Sequence, residues 1–256
     1  MTKLSSSARR LSDLTSAEVP QSLQGATIVW AFGSVEQHGP HLPLSVDLDI
    51  ADAFATATAA RLEHSFVAPP QAFGARSLPG SGGGLAFPGT LYLRGGVLIE
   101  YLQGLIAGFA TLGCKQLVII NGHYENEAFL LEAIDSTREA GELGTCAVTA
   151  FSWWSLVEQT WLDRHIGKRF PGWHAEHAGL TETSLMLHLK PDLVGLERPE
   201  HPTPPPAGIY VHPVDLPKTT TDGVLSSTAG STAELGRALF EHVVERILQQ
   251  ISYSQK

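Results

Sequence analysis

Strand and helix patterns alternate along this chain and predict an α/β protein, with a mostly parallel sheet covered by helices on both faces. Two observations carry that prediction. Three short apolar runs, 26–32 (ATIVWAF), 116–120 (QLVII) and 145–151 (TCAVTAF), have the length and the β-branched or aromatic content of buried strands. The loops after them carry Glu36 and His38, His123 and Glu125, and Trp154. In an open parallel sheet, loops that follow strands gather at one edge, where such folds keep their chemistry.

The elements follow in order. Residues 1–20, Ser- and Arg-rich at the start, read as a short flexible tail without the apolar core of a secretory signal. After the first strand, Asp49 is placed to cap a helix over 50–62. A short strand at 65–68 ends at Pro69 and Pro70. Residues 74–90 are too dense in Gly and Pro for a helix or central strand, and Leu78, Leu85 and Phe87 suit an ordered loop. Helical periodicity runs over 94–112 and stops at Gly113; a second such stretch, 127–140, stops at Gly141. Ser155 and Glu158 stand in capping-box spacing for a short helix, and Ser231 and Glu234 do so for a last helix to about Ile251. A polar loop at 170–179 leads into a helix over 180–189. Seven prolines in 197–217 predict an extended surface segment. With no internal repeat, the 256 residues read as a single domain.

Composition narrows the function. A formal net charge of −9 argues against nucleic acid or an anionic membrane as partner, since both call for basic patches. No apolar run approaches the roughly 20 residues that span a bilayer. Cys114 and Cys146 sit in apolar surroundings and read as small core residues of a reducing compartment. A cytoplasmic enzyme or binding protein is expected, acting on a small molecule.

The chemistry gathers in three clusters. GSVEQHGPHLPLSVD at 33–47 sets out Glu36, His38, His41 and Asp47; NGHYEN at 121–126 adds His123 and Glu125. Oxygen and nitrogen donors without a thiolate suit Zn²⁺, Mn²⁺ or a neighbouring divalent ion. A polar loop with chance histidines is the competing reading of the first cluster, and the second cluster weighs against it. Two histidines and three carboxylates exceed what one tetrahedral ion needs. They suit two ions sharing a carboxylate. The third cluster, HAEHAGLTETS at 174–184, adds His174, Glu176, His177 and Glu182. There Glu176 reads as a solvated residue at a helix start, and His41 as a support for the ligands. The remaining histidines read as surface or structural.

GSVEQHGPHLPLSVD, the SGGG and FPGT segments, NGHYEN and EHAGLTETSLML together resemble the creatininase (creatinine amidohydrolase) family, over about residue 25 to the C-terminus. Relatives acting on formamides or on a mycofactocin peptide typically carry NGHGGN; this chain has Tyr124 and Glu125, as creatininase proper does. The resemblance implies a three-layer α/β/α sandwich and a homohexamer. It implies Glu36, Asp47 and His123 on one metal, His38, Asp47 and Glu125 on a second, and substrate contacts from Ser81, Tyr124, Trp154, Trp173 and His177. The position after Trp173 is acidic in creatininase proper and is His174 here, which exchanges an acceptor for a donor.

The expected activity is the opening of a small cyclic amide with two bound divalent ions, creatinine and water giving creatine. Another lactam or a formamide is the alternative. His177 would deliver the proton to the leaving nitrogen, titrating near neutral pH. Glu182 would orient that imidazole or complete a metal shell. Trp154 and Trp173 would wall a flat ring, while Trp153 and Trp161 read as core. A non-catalytic metal-binding protein of the same fold would need no proton donor.

Overall fold

The computed structural model describes residues 8–201, 205, 207 and 212–254. Four strands, β1 (Thr27–Phe32), β2 (Ser65–Val67), β3 (Gln116–Asn121) and β4 (Ala147–Ser152), form one all-parallel sheet in the order β2-β1-β3-β4. Eight α-helices accompany them among the described residues: α1 (Val19–Leu23), α2 (Val46–Ala59), α3 (Gly95–Thr111), α4 (Asn126–Glu139), α5 (Gln159–His165), α6 (Leu180–Leu189), α7 (Leu216–Thr219) and α8 (Ala233–Ser254).

Period-two alternation on the strands builds the layers. Val29, Ala31, Val118 and Ile120 face one way and pack with Ile50 and Phe54 of α2, Leu185 of α6 and Val243 of α8. Ile28, Trp30, Leu117 and Ile119 face the other way, onto Leu98 and Leu102 of α3 and Leu130 of α4. The result is a three-layer α/β/α sandwich whose central strands are apolar on both faces, as buried parallel strands are. Removing a side chain such as Phe54 from this core costs about 3–5 kcal/mol.

Topology sets where chemistry can sit. The chain leaves β1 toward β2 on one side and returns through α3 to β3 on the other, so the order reverses between β1 and β3. Ligands of open α/β sheets bind at such a switch point. Phe32, Asn121 and Ser152 stand level in register at the ends of β1, β3 and β4. The three loops predicted to carry chemistry therefore leave the sheet side by side.

Several expectations differ in detail. Helix α2 begins at Val46 rather than Ile50, which puts Asp47 in its first turn. Asp49 is not its cap: it is bound by the Ser45 hydroxyl and by Lys190 Nζ, at 2.8 and 2.7 Å. Residues expected in a flexible tail are packed. Val67 donates to the Arg9 carbonyl, and Leu11 and Leu14 lie against Leu23 and Phe66. The first seven residues lie outside the described ones. Ser155 binds the Ser152 carbonyl instead of forming a capping box, and Glu158 pairs with His242 and Arg246. At α8, Thr232 caps the Leu235 N–H in place of Ser231, which accepts from Arg198. Cys114 and Cys146 are buried, with their sulfurs 3.3 Å apart. No helix among the described residues is long and apolar enough to cross a membrane.

Candidate metal centre

The site is assembled from close backbone approach. A Cβ on Gly122 would lie 2.2 Å from the Asp47 carbonyl oxygen, and one on Gly33 would meet Leu48 at 2.5 Å. Only glycine at these two loop positions lets the first turn of α2 settle against the ends of β1 and β3. Asn121 and Asn126 then fix the second loop. Asn121 Nδ2 donates to the His123 carbonyl at 2.8 Å, and its Oδ1 accepts from the His123 N–H at 3.1 Å. Asn126 ties this loop to the Gly33 carbonyl and the Ala75 N–H.

Five buried side chains then converge. His123 Nδ1 lies 2.9 Å from Glu36 Oε2 and 3.1 Å from Asp47 Oδ2. His38 Nε2 lies 3.2 Å from Asp47 Oδ1 and 3.7 Å from Glu182 Oε2. Asp47 thus faces a different histidine with each of its oxygens. Two donor groups result, Glu36–Asp47–His123 and His38–Asp47–Glu182, and each has the spacing to hold a metal ion. A third, Glu36–His38–His177, overlaps both.

The donors fit divalent ions on two observations. Both Glu36 oxygens, Asp47 Oδ2 and His38 Nε2 are buried without a hydrogen bond, and meet the neighbouring imidazoles and carboxylates only at ion-pair distance. Unsatisfied buried groups of this kind call for a partner. Each histidine also turns its far nitrogen to a backbone carbonyl. His38 Nδ1 is 3.1 Å from the Glu36 carbonyl and His123 Nε2 is 3.1 Å from that of Ala75. Metal-binding imidazoles are commonly held in this way, which fixes the tautomer.

Electrostatics agree. Burial would lower His38, but Asp47 overrides it and the imidazole rises to about 10; Glu36 and Asp47 hold His123 well above its ordinary value in the same way. Burial would raise Glu36 and Asp47, yet the neighbouring imidazoles hold both carboxyls down. Burial pushes Glu182 up to about 8. The carboxylates therefore attract positive charge, which protons on the two histidines supply until a cation replaces them.

Glu125 stands apart from the arrangement expected of it. It belongs to neither group: its Oε2 is 3.4 Å from His123 Nε2, on the side of the ring away from Asp47, and its Oε1 accepts the Leu78 N–H. It follows Tyr124 just before α4, and that turn leaves its carboxylate behind His123. Glu182, in the first turn of α6, occupies the place beside His38.

His177 Nε2 lies 3.9 Å from Glu36 Oε1 and 3.0 Å from both the carbonyl oxygen and the side-chain nitrogen of Gln37. Burial pushes its imidazole down to about 4, so it is neutral at pH 7 instead of titrating there. Glu176 differs from the solvated residue expected. It is 7 % exposed, and its Oε2 accepts from the Thr181 N–H and hydroxyl. His41 is buried, 3.0 Å from the Thr183 hydroxyl.

Over the cluster lies a chamber of about 40 Å³ lined in part by Ser81, Tyr124, Trp154, Trp173, His174 and His177. Trp153 is buried and meets Trp154 and Trp173 edge-on, at 5.7 and 5.5 Å, holding both walls. Tyr124 stacks on Trp154 at 6.1 Å. His174 Nε2 lies 3.0 Å from the Pro205 carbonyl. Gln37, Asn121 and Asn126 are not among the site residues expected from the sequence. The asparagines flank the predicted ligand pair within NGHYEN, and Gln37 separates two further predicted ligands, so their spacing is the signal that could have found them.

A buried cluster of histidines and carboxylates at the switch point of a three-layer sandwich has the build of an α/β protein with ligands for divalent ions. A family model described as creatinine amidohydrolase matches residues 12–251, and the chain belongs to this creatininase family. It is 38 % identical to creatinine amidohydrolase of Pseudomonas putida over 226 residues, 86 % of each chain. It is 31 % identical to the mycofactocin precursor peptide peptidase of Mycobacterium tuberculosis (strain CDC 1551 / Oshkosh), over 94 % of this chain and 90 % of that one. The fold matches a mutant creatininase of the Zn-Zn type with a TM-score of 0.88 and 34 % identity, over 98 % of this chain and 99 % of the other.

Proposed function

We propose that this creatininase-family hydrolase opens a small cyclic amide with two divalent ions, zinc or manganese, and that its substrate is creatinine, converted with water to creatine. The observation that supports this most is Asp47, whose two oxygens face two separate donor groups. Glu36, Asp47 and His123 would hold one ion and His38, Asp47 and Glu182 the other. When bound, the ions supply activated water and positive charge opposite a developing oxyanion. Glu125, behind His123, orients that ring.

The rest falls to the protein. His177, neutral at pH 7, has the state needed to take a proton on Nε2 as the carbonyl is attacked. It then returns that proton to the leaving ring nitrogen. Trp154 and Trp173 supply apolar walls for a flat ring, and the Tyr124 ring extends the first of them.

His174 favours a second reading, hydrolysis of another lactam or a formamide, because its Nε2 is held by the Pro205 carbonyl and no carboxylate stands at this position to accept from a basic ring. An assay of the metal-loaded protein on creatinine beside other cyclic and formyl amides tests both. Creatine formation is expected; cleavage of another amide with creatinine untouched would favour the second reading.

A further inference from the structure

Beyond the 40 Å³ chamber lies a much larger cavity of about 1030 Å³, sharing Ser81, Tyr124, Glu125, Trp154, Trp173 and His174 with it. A creatinine-sized ring leaves most of that space unfilled; cavities of this volume take ligands of drug size. Two arginines, Arg76 and Arg94, both exposed, are among its lining residues. The Leu93 N–H donates to the Gly74 carbonyl at 2.9 Å and ties the two arginine segments together. Arg76 lies over the Tyr92 ring, 6.0 Å from its centroid. Neither arginine has a carboxylate partner among the described residues.

The acids nearby are already engaged. Glu125 accepts from the Leu78 N–H and lies beside His123, and Glu127 accepts the Ser152 hydroxyl at 2.6 Å. Arg94 also immediately precedes α3, whose first two residues are Gly95 and Gly96 and whose first turn has neither an acidic residue nor a side-chain cap. The positive end of that helix adds to the two arginines. The planar fork of a guanidinium suits the geometry of a carboxylate.

We propose that Arg76 and Arg94 form an anion subsite, through which the enzyme also accepts amides bearing a carboxylate on an arm remote from the scissile bond. This rests on the amide hydrolysis proposed above and adds a second substrate class to it.

Calorimetry on the metal-loaded protein tests the subsite with hydantoin against hydantoin-5-acetic and hydantoin-5-propionic acids. At least one acid should bind about 10- to 100-fold tighter than hydantoin, the span of one or two charge-assisted hydrogen bonds. Arg76→Ala/Arg94→Ala should close that gap and Arg138→Ala, on the outer surface of α4, should not. Equal binding of all three compounds, or a gap that survives the double substitution, overturns the subsite. The two readings fail separately. Arginine-dependent binding with no amide cleaved would leave the subsite standing and remove the hydrolase. Cleavage of neutral lactams with no arginine-dependent preference would do the reverse.

Discussion

His177 Nε2 lies 3.0 Å from two atoms of Gln37, the backbone carbonyl oxygen and the side-chain amide nitrogen. Protonated, the imidazole nitrogen can donate to the carbonyl; unprotonated, it can accept from the amide. A residue that takes and returns a proton thus has an acceptor beside it when protonated, and when neutral it shares the amide's two N–H groups with two backbone carbonyls. The same amide donates to the carbonyls of Gly82 and Gly223, so Gln37 joins the loops around the site. Gln37→Leu should lower turnover about tenfold, ~1.4 kcal/mol of barrier, with the metal content unchanged. Steady-state kinetics beside elemental analysis checks this; an unaltered kcat would remove the role.

His177→Ala should lose about 10²–10⁴-fold in turnover, the usual contribution of a positioned acid–base group, and retain its metal. Loss of an ion from that variant would make His177 a ligand instead, as its place beside Glu36 and His38 allows.

Glu182 and Glu125 should separate cleanly. Glu182→Ala removes the carboxylate beside His38 and should leave one ion per chain. Glu125→Gln leaves both donor groups intact and should retain two, with weaker affinity at the His123 site. Elemental analysis of both variants decides which carboxylate completes the second group.

Metal affinity should rise with pH. In the metal-free protein His38 is raised to about 10 and His123 well above its ordinary value, so a cation must displace their protons. The His38 proton makes affinity about tenfold weaker per unit of pH lowered below about 10, and the His123 proton steepens the same trend. For the metal-free fold the sign is opposite. His38 contributes stability that is full below about 6.5, its unfolded value, and is lost as pH rises through about 10. Chelator competition at pH 6, 7 and 8 checks the first statement, and thermal unfolding of the metal-free protein the second.

His174→Asp should improve KM for creatinine by roughly tenfold, since an acceptor for a buried ring donor is worth about 1–3 kcal/mol. Steady-state kinetics on creatinine checks this; an unchanged KM would mean that the ring does not reach this position.

Much of the fold is legible in the amino-acid sequence. Apolar runs mark three of the four strands along their length, and Leu180–Leu189 agrees end to end, because buried periodicity is a local property. The start of α2 is hidden because Asp47 reads equally as loop ligand and first-turn acid, and its place depends on packing against Gly122. The partner of His38 is hidden too. Glu125 is near the other ligands in sequence, whereas Glu182 meets His38 across 144 residues only when α6 packs beside α2. The lowered His177 has the same origin, since burial is a property of the assembled fold.

Titrating the metal-free protein with zinc while following creatinine ring opening tests the shared role of Asp47 most directly. Activity should reach its plateau at two ions per chain. A plateau at one ion would contradict the two-ion centre.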